Sequence, residues 1–354
     1  MKFKYKDKKI TGIVTIVPKK VITFDEEMDN YKADKKRTKR LKLVMGYEQH
    51  RVVDDGTCVS DLAIYGIQYL FDNNLLAKED IGAIVLVTSS PDHFLPPTST
   101  IIHGKLSLSS DVMCLDITQG CAGFIVGLQQ AYALLEQLDD KKVVLINADV
   151  LSRKACKADR NSWPLVGDAA SITIIENDAN SSEVFGEICF DGRGCNSLII
   201  PAGGFRMPST SDTAIVKEDE DGNVRSLDNL VMNGGEVFHF VQTQVPPFIN
   251  GMLDEHQINK DEIDYFLFHQ PNKFMVDKLA EALEVPYEKI PSNIVTYFGN
   301  ASGVTIPTNI CYNLGNKLIS DEYKVCLSGF GVGYTWGALL VTIGKMDFCE
   351  IIEY

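Results

Sequence analysis

Three side chains of complementary chemistry sit at the mouths of turns in this chain. Cys121 falls in Asp116-Ile117-Thr118-Gln119-Gly120-Cys121-Ala122-Gly123-Phe124, where an apolar strand breaks at a Gly-Cys corner and runs into a helix. His269 falls in Phe266-Leu267-Phe268-His269-Gln270-Pro271-Asn272, another strand, which ends in a histidine and an amide pair. Asn300 falls in Phe298-Gly299-Asn300-Ala301-Ser302-Gly303. A thiol, an imidazole and a carboxamide can together hold one acyl group as a thioester and manage charge on a second. A thiol at a helix start faces unpaired N–H groups and the positive end of the dipole, so Cys121 is expected to be a stabilised thiolate and a nucleophile. A cysteine taken at random is more often a buried structural residue, but the flanking glycines and the corner set Cys121 apart. His50, His93, His103, His239 and His256 lack a comparable setting and are read as structural.

A third element, Ser328-Gly329-Phe330-Gly331-Val332-Gly333-Tyr334-Thr335-Trp336-Gly337, is rich in glycine. No Lys-Ser/Thr follows it and it leads into the strand Ala338 to Ile343, which excludes a P-loop. Glycine lets backbone approach a ligand closely, as an amide oxyanion donor requires. Gly167-Asp168 is read as a structural turn.

These residues need a frame, and the chain carries an internal echo that supplies one. Lys78-Glu79-Asp80-Ile81 introduces a strand over Ala83 to Thr88, and Lys260-Asp261-Glu262-Ile263 introduces Tyr265 to Phe268, at an offset of 182 residues. Lys142-Val143-Val144-Leu145 and Lys324-Val325-Cys326-Leu327 repeat at the same offset, and Cys121-Ala122-Gly123 matches Ala301-Ser302-Gly303 at 180. The chain is read as two similar halves, 1–182 carrying the Cys and 183–354 carrying the His and Asn. Ala83 to Thr88, Lys142 to Ala148 and Ala170 to Glu176 are continuous apolar runs, as in strands covered on both faces. Val59 to Phe71 and Phe124 to Leu138 carry helical spacing, the latter apolar on nearly every face and so a buried central helix. The alternation predicts an α/β protein with mixed sheets. Gly203 to Asn229, with the run Lys217 to Gly222, is expected to be a solvated, mobile insertion.

Composition narrows the function classes. The chain is 354 residues long, 45% hydrophobic and 23% charged, an ordinary globular balance. A net charge of −14 argues against a nucleic-acid partner. No apolar stretch approaches the ~18 residues that would span a bilayer, and Ile10 to Pro18 is too short and β-branched for a signal segment, so a cytoplasmic protein is expected. Nine scattered cysteines, with no Cys-x-x-Cys, encode neither a zinc ribbon nor a thioredoxin motif.

Arg51-Val52-Val53, Ser60-Asp61-Leu62-Ala63, the Cys121 corner, Gly167-Asp168, His269 to Asn272, Phe298 to Ser302 and Gly329 to Gly333, in this order, resemble the β-ketoacyl-acyl-carrier-protein synthase III family of the thiolase superfamily. The match runs over essentially the whole chain. It implies a thiolase-like five-layered αβαβα fold with two pseudo-duplicated halves. It also implies a homodimer in which the loop around Phe94, Leu95 and Pro96 closes the partner's acyl pocket. In the implied reaction Cys121 takes an acyl group from an acyl-CoA or other acyl thioester, with the backbone amides of Cys121 and Val332 holding the oxyanion. His269 and Asn300 then bind a malonyl thioester, on an acyl-carrier protein, whose decarboxylation supplies the enolate. No metal or resident cofactor is implied. Asn272, Arg160, Lys273, Leu95 and Gly331 fall at substrate-binding positions.

The chain departs from the family at several places. An adenine-stacking Trp is Arg40 and a neighbouring Arg is Val44, while Arg160 keeps the other arm of the stack. Cationic carrier-binding positions are His239 and Phe274, with Lys273 adjacent. The small residue before the nucleophile pair is replaced in Gln119-Gly120, and the middle Gly of the loop is Val332. A thiolase would carry a second Cys where Ser328 stands. A type III polyketide synthase-like enzyme, an ester- or amide-forming acyltransferase and a non-catalytic partner subunit are the alternative readings.

Overall fold

The computed structural model describes residues 1–31, 34–220 and 222–354. In chain order the strands of its two large sheets are β1 (Lys2–Tyr5), β2 (Lys8–Val17), β3 (Ile81–Thr88), β4 (Met113–Thr118), β5 (Lys142–Asp149), β6 (Ala169–Asn177), β7 (Val184–Phe190), β8 (Tyr265–Phe268), β9 (Glu322–Gly331), β10 (Thr335–Gly344) and β11 (Phe348–Glu353). The helices that frame the site are α1 (Lys35–Met45), α2 (Val59–Asp72), α3 (Thr98–Lys105), α4 (Gly123–Leu135), α5 (Gly234–Glu255), α6 (Lys273–Leu283) and α7 (Thr305–Leu314).

One sheet has the order β11-β2-β6-β5-β3-β4 and the other β1-β7-β10-β9-β8. Every residue of β3 is buried, as its uninterrupted apolar run requires for a strand with helices on both faces. The duplication is visible in the register. Ile84 of β3 faces Val144 of β5 in a parallel pair, and 182 residues later Phe266 of β8 faces Cys326 of β9, also in parallel. Each sheet also takes one strand from the far end of the chain, β1 pairing with β7 and β11 with β2.

Five layers result. Helices α4 and α7 lie between the sheets, where Phe124, Leu128, Ile306 and Ile310 share one apolar cluster with Val85 and Val143 of one sheet and Leu267 and Val325 of the other. Leu62, Ile67 and Leu70 of α2 and Ile102 of α3 cover the outer face of the six-stranded sheet. Val237, Val241 and Ile249 of α5 and Val276 and Leu279 of α6 cover the five-stranded one. The fold is thus the thiolase-like αβαβα sandwich that the resemblance implies. Helix α4 is as buried as its apolar faces predict, and ends at Leu135 rather than Leu138. No helix among the described residues is long and apolar enough to cross a membrane.

The segment 203–229 is largely exposed, as expected of a solvated insertion, but it carries structure of its own. Lys217–Glu218 and Val224–Arg225 pair as a small antiparallel ribbon. Arg225 bridges Asp159 at 3.1 Å and Asp219 at 2.6 Å, and Asp159 is only 1% exposed. Leu230 N donates to Lys154 O at 2.7 Å. The segment is therefore pinned to the loop that carries Arg160, because Arg225 compensates a carboxylate buried in the body of the protein. Asp221, within the charged run, lies outside the described residues.

Candidate active site

Strand β4 ends at Thr118, and the corner Gln119 to Ala122 turns the chain into α4. Cys121 on that corner is buried beneath the turn joining β9 to β10. The N–H groups of Val332 and of Cys121 itself, with the Ser302 hydroxyl, lie on the Cys121 sulfur and favour its ionised form. Burial outweighs them and pushes the thiol above its ordinary value. The helix-start position is thus as read from the sequence, but the resting group is a thiol rather than the expected stabilised thiolate.

His269 follows the last residue of β8, and its N–H donates to Ser328 O at 2.8 Å, continuing the ladder onto β9. Its imidazole is 1% exposed, and burial holds its pKa down to about 3, so the ring is neutral at ordinary pH. Nδ1 lies 2.7 Å from Thr305 Oγ1 at the start of α7. That hydroxyl also reaches Ser302 O at 3.0 Å. Asn300 is set by the other half of the chain. Its N–H donates to Leu165 O at 2.7 Å, and Gly167 N donates back to Asn300 O at 3.1 Å. Its Oδ1 accepts from Ser302 N at 2.9 Å, which leaves the NH2 as the free donor.

Cys121, His269 and Asn300 line one cavity of about 370 Å³. Leu41 and Met45 of α1, Val237, Phe238 and Val241 of α5, and Phe274 and Met275 of α6 make most of its other walls apolar. Of the remaining candidates, Arg160, Asn272 and Gly331 also line it. The Asn272 side chain has a structural task as well, since its Oδ1 caps α6 by accepting from Met275 N at 2.9 Å. Lys273 is exposed and paired with Asp277. Leu95 lies on a separate loop, 83% exposed, beside Phe94, whose ring meets Phe205 at 5.5 Å.

Three residues near the site escaped sequence reasoning. Ser302 touches the sulfur, and Thr305 touches His269. Asp149 lies behind Cys121 at the end of β5. Its Oδ1 accepts from Ser89 N at 2.9 Å and from the hydroxyls of Thr88, Ser89 and Ser90 at 3.3, 2.8 and 3.0 Å. Burial pushes its carboxyl up to about 6 despite these donors and the Ser302 hydroxyl. The only sequence signal for Asp149 is an acid at the C-terminal end of an apolar strand.

The fold and the meeting of a thiol, a neutral imidazole and a carboxamide donor at one seam define a thiolase-like protein. The profile described as 3-oxoacyl-[acyl-carrier-protein (ACP)] synthase III matches residues 115–192, and that of its C-terminal part matches residues 253–343. A Campylobacter jejuni protein carrying the provisional name 3-oxoacyl-[acyl-carrier-protein] synthase 3 is 33% identical over 100% of this chain and 99% of its own length. The β-ketoacyl-[acyl-carrier-protein] synthase III of Streptococcus mutans is 30% identical over 95% of this chain and 99% of its own. The crystal structure of a 3-oxoacyl-(acyl-carrier protein) synthase from Burkholderia xenovorans LB400 superposes with a TM-score of 0.92 at 30% identity, covering 100% and 99% of the two chains. The chain belongs to the 3-oxoacyl-[acyl-carrier-protein] synthase III family.

Proposed function

We propose that this protein catalyses a decarboxylating Claisen condensation, joining an acyl group held on Cys121 to a malonyl thioester delivered by an acyl-carrier protein, to give a 3-oxoacyl thioester in the building of acyl chains. The observation that carries the reading is that Cys121, His269 and Asn300, from different turns and both halves, converge on one largely apolar cavity.

In the first half-reaction the Cys121 sulfur attacks the acyl thioester carbon, its proton leaves, and the departing thiol takes a proton. The N–H groups of Cys121 and Val332, already directed at the sulfur, are positioned to receive the oxyanion. In the second, the malonyl thioester carbonyl accepts from the Asn300 NH2 and from His269 Nε2. Loss of carbon dioxide leaves an enolate on those donors, and its carbon attacks the acyl-Cys121 carbonyl, releasing the sulfur. A neutral imidazole donates from Nε2 only if Nδ1 is unprotonated, so Thr305 must give its single hydroxyl proton to Nδ1 rather than to Ser302 O. Every positive end in this scheme is an N–H group, and it calls for no metal or resident cofactor. Arg160 at the cavity wall suits the polar part of the arriving thioester. The exposed Phe94, Leu95 and Phe205 support a homodimer that covers this face.

Mass spectrometry of the intact protein, after incubation with a panel of acyl-CoA and acyl-carrier thioesters, tests the reading. One acyl group should map to Cys121 and disappear in Cys121→Ala. Labelling that persists on Cys156 or Cys195 refutes it.

A further inference from the structure

The densest run of positive charge in the sequence lies on the helix that walls the cavity. Helix α1 reads Lys35-Lys36-Arg37-Thr38-Lys39-Arg40-Leu41-Lys42-Leu43-Val44-Met45, with six cations and no acid in a chain of net charge −14. Lys35 pairs with Asp29 at 2.7 Å, and Lys42 with Glu48 at 2.9 Å and Asp25 at 3.2 Å. Lys36, Arg37, Lys39 and Arg40 are exposed and make no ion pair among the described residues. On the inner face of the same helix Thr38 is buried, and Leu41 and Met45 line the cavity. At its C-cap the chain closes on α6, where a Cβ at Gly46 would lie 2.8 Å from Lys273 Cβ.

We propose that the outer face of α1 is a docking surface for an acidic carrier protein, which presents its thioester to the cavity on the other side of the same helix. This rests on the carrier-bound reading of the substrate given above. Lys36, Lys39, Arg40 and Leu43 follow one another at i, i+3, i+4 and i+7, a single outward stripe, and Leu43 is 75% exposed within it. Like charges at i and i+4, here Lys35 with Lys39 and Lys36 with Arg40, destabilise an isolated helix. A counter-charged partner removes that repulsion.

The geometry also selects the kind of anion. A phosphate group is held by donors that converge on it, whereas these cations fan out along one side of the helix around an exposed leucine. That arrangement matches a broad surface carrying several carboxylates and a few apolar side chains. The net −14 of the whole chain repels acidic partners and nucleic acids at a distance. A local basic stripe gives a small acidic protein one favourable approach, beside the cavity.

The test is a Lys36→Glu/Lys39→Glu variant of the full chain, with unchanged circular dichroism as the check on folding. Steady-state rates are compared for malonyl-loaded acyl-carrier protein and for malonyl-pantetheine, which offers the same thioester without the protein. The KM for the carrier substrate should rise about tenfold or more and lose most of its salt dependence, with malonyl-pantetheine turnover unchanged. A carrier KM within about twofold of the parent overturns the docking surface, as does an equal loss with both substrates. Binding of the parent, but not the variant, to phosphatidylglycerol vesicles with an unaltered carrier KM assigns the stripe to a membrane instead. A parent that uses malonyl-CoA and ignores the carrier substrate overturns the carrier-bound reading itself, and the docking surface with it.

Discussion

Gly331 offers a way to move the nucleophile without touching its chemistry. A Cβ built there would lie 2.6 Å from Cys121 Cβ and 2.8 Å from its sulfur, and nothing else of the protein is nearly as close. Non-bonded heavy atoms rest at about 3.5–4.0 Å, so Gly331→Ala must open this contact by about 1 Å. The backbone at Gly331 is not left-handed, so alanine brings no conformational strain of its own. Overpacking of this kind costs about 1–3 kcal/mol of stability, which leaves a folded protein. A misplacement of about 1 Å at a reacting atom costs on the order of 100-fold in rate, or about 2.7 kcal/mol of barrier. Acylation of Cys121, followed by intact mass, should therefore slow about 100-fold. Decarboxylation of a malonyl thioester, which in the proposed reaction rests on His269 and Asn300, should continue, because neither is among the atoms the new methyl meets. If acylation stays within about threefold of the parent, or both half-reactions fall together, the packing argument is refuted.

Further outcomes follow from the same geometry. Asn300→Ala should still load acyl on Cys121 while decarboxylation falls about 100- to 1,000-fold; equal loss of both would show that it only holds the fold. Thr305→Val should likewise depress decarboxylation and spare loading, with Thr305→Ser restoring it, since only a hydroxyl proton can fix the Nε2–H form; a fully active valine variant would disprove that assignment. His269 has its folded pKa lowered from 6.5 to about 3, so the unfolded chain binds this proton first and the contribution of the neutral ring to stability is lost as pH falls below about 6.5. Asp149, raised to about 6, acts oppositely, gaining stability for the folded state as pH falls through 6. Melting curves should accordingly show a shallower acid decline for His269→Asn than for the parent, and identical slopes would count against a buried neutral imidazole. Arg225→Ala should cost up to about 3 kcal/mol by leaving Asp159 buried without its cation, and should speed proteolysis within 203–229; an unchanged cleavage rate would mean the segment is held by other contacts.

The sequence made the inner strands and the reactive corner legible for a local reason. Strands such as Ile81–Thr88 and Tyr265–Phe268 are uninterrupted apolar runs, and the repeat at 182 residues marks them as counterparts in the two halves. Cys121 announces itself through its glycines and the helix that follows. What stayed hidden depends on company. The raised thiol of Cys121 comes from burial under the β9–β10 turn, which is remote in the chain, so a rule about helix starts could not foresee it. Ser302 and Thr305 look like any other polar residues of a turn and helix start until Cys121 and His269 are placed against them. The pinning of 203–229 depends on Arg225 finding Asp159 across 66 residues, and a polar composition alone reads as solvated. The edge strand Lys2–Tyr5 alternates lysine with aromatic residues, but four residues are too short a run to say which sheet it joins.

The seam at Asn300 has a consequence for how such a molecule can fail. The turn bearing this donor is tied to the first half through the main chain of Asn300 itself. Its main chain is stitched on both sides to Leu165 and Gly167, so tightly that a Cβ at Gly167 would stand 2.2 Å from Phe298 O. Pulling the halves apart and displacing the donor proposed for decarboxylation are therefore one event. Under heat or denaturant, turnover of the malonyl thioester should vanish with the earliest loosening of the seam, ahead of the loss of secondary structure. Two separately expressed halves could each form a sheet and still recover no condensation until that stitch had closed. An ancestor with two unfused copies would have met the same requirement, and joining them into one chain keeps the copies at a permanently high effective concentration.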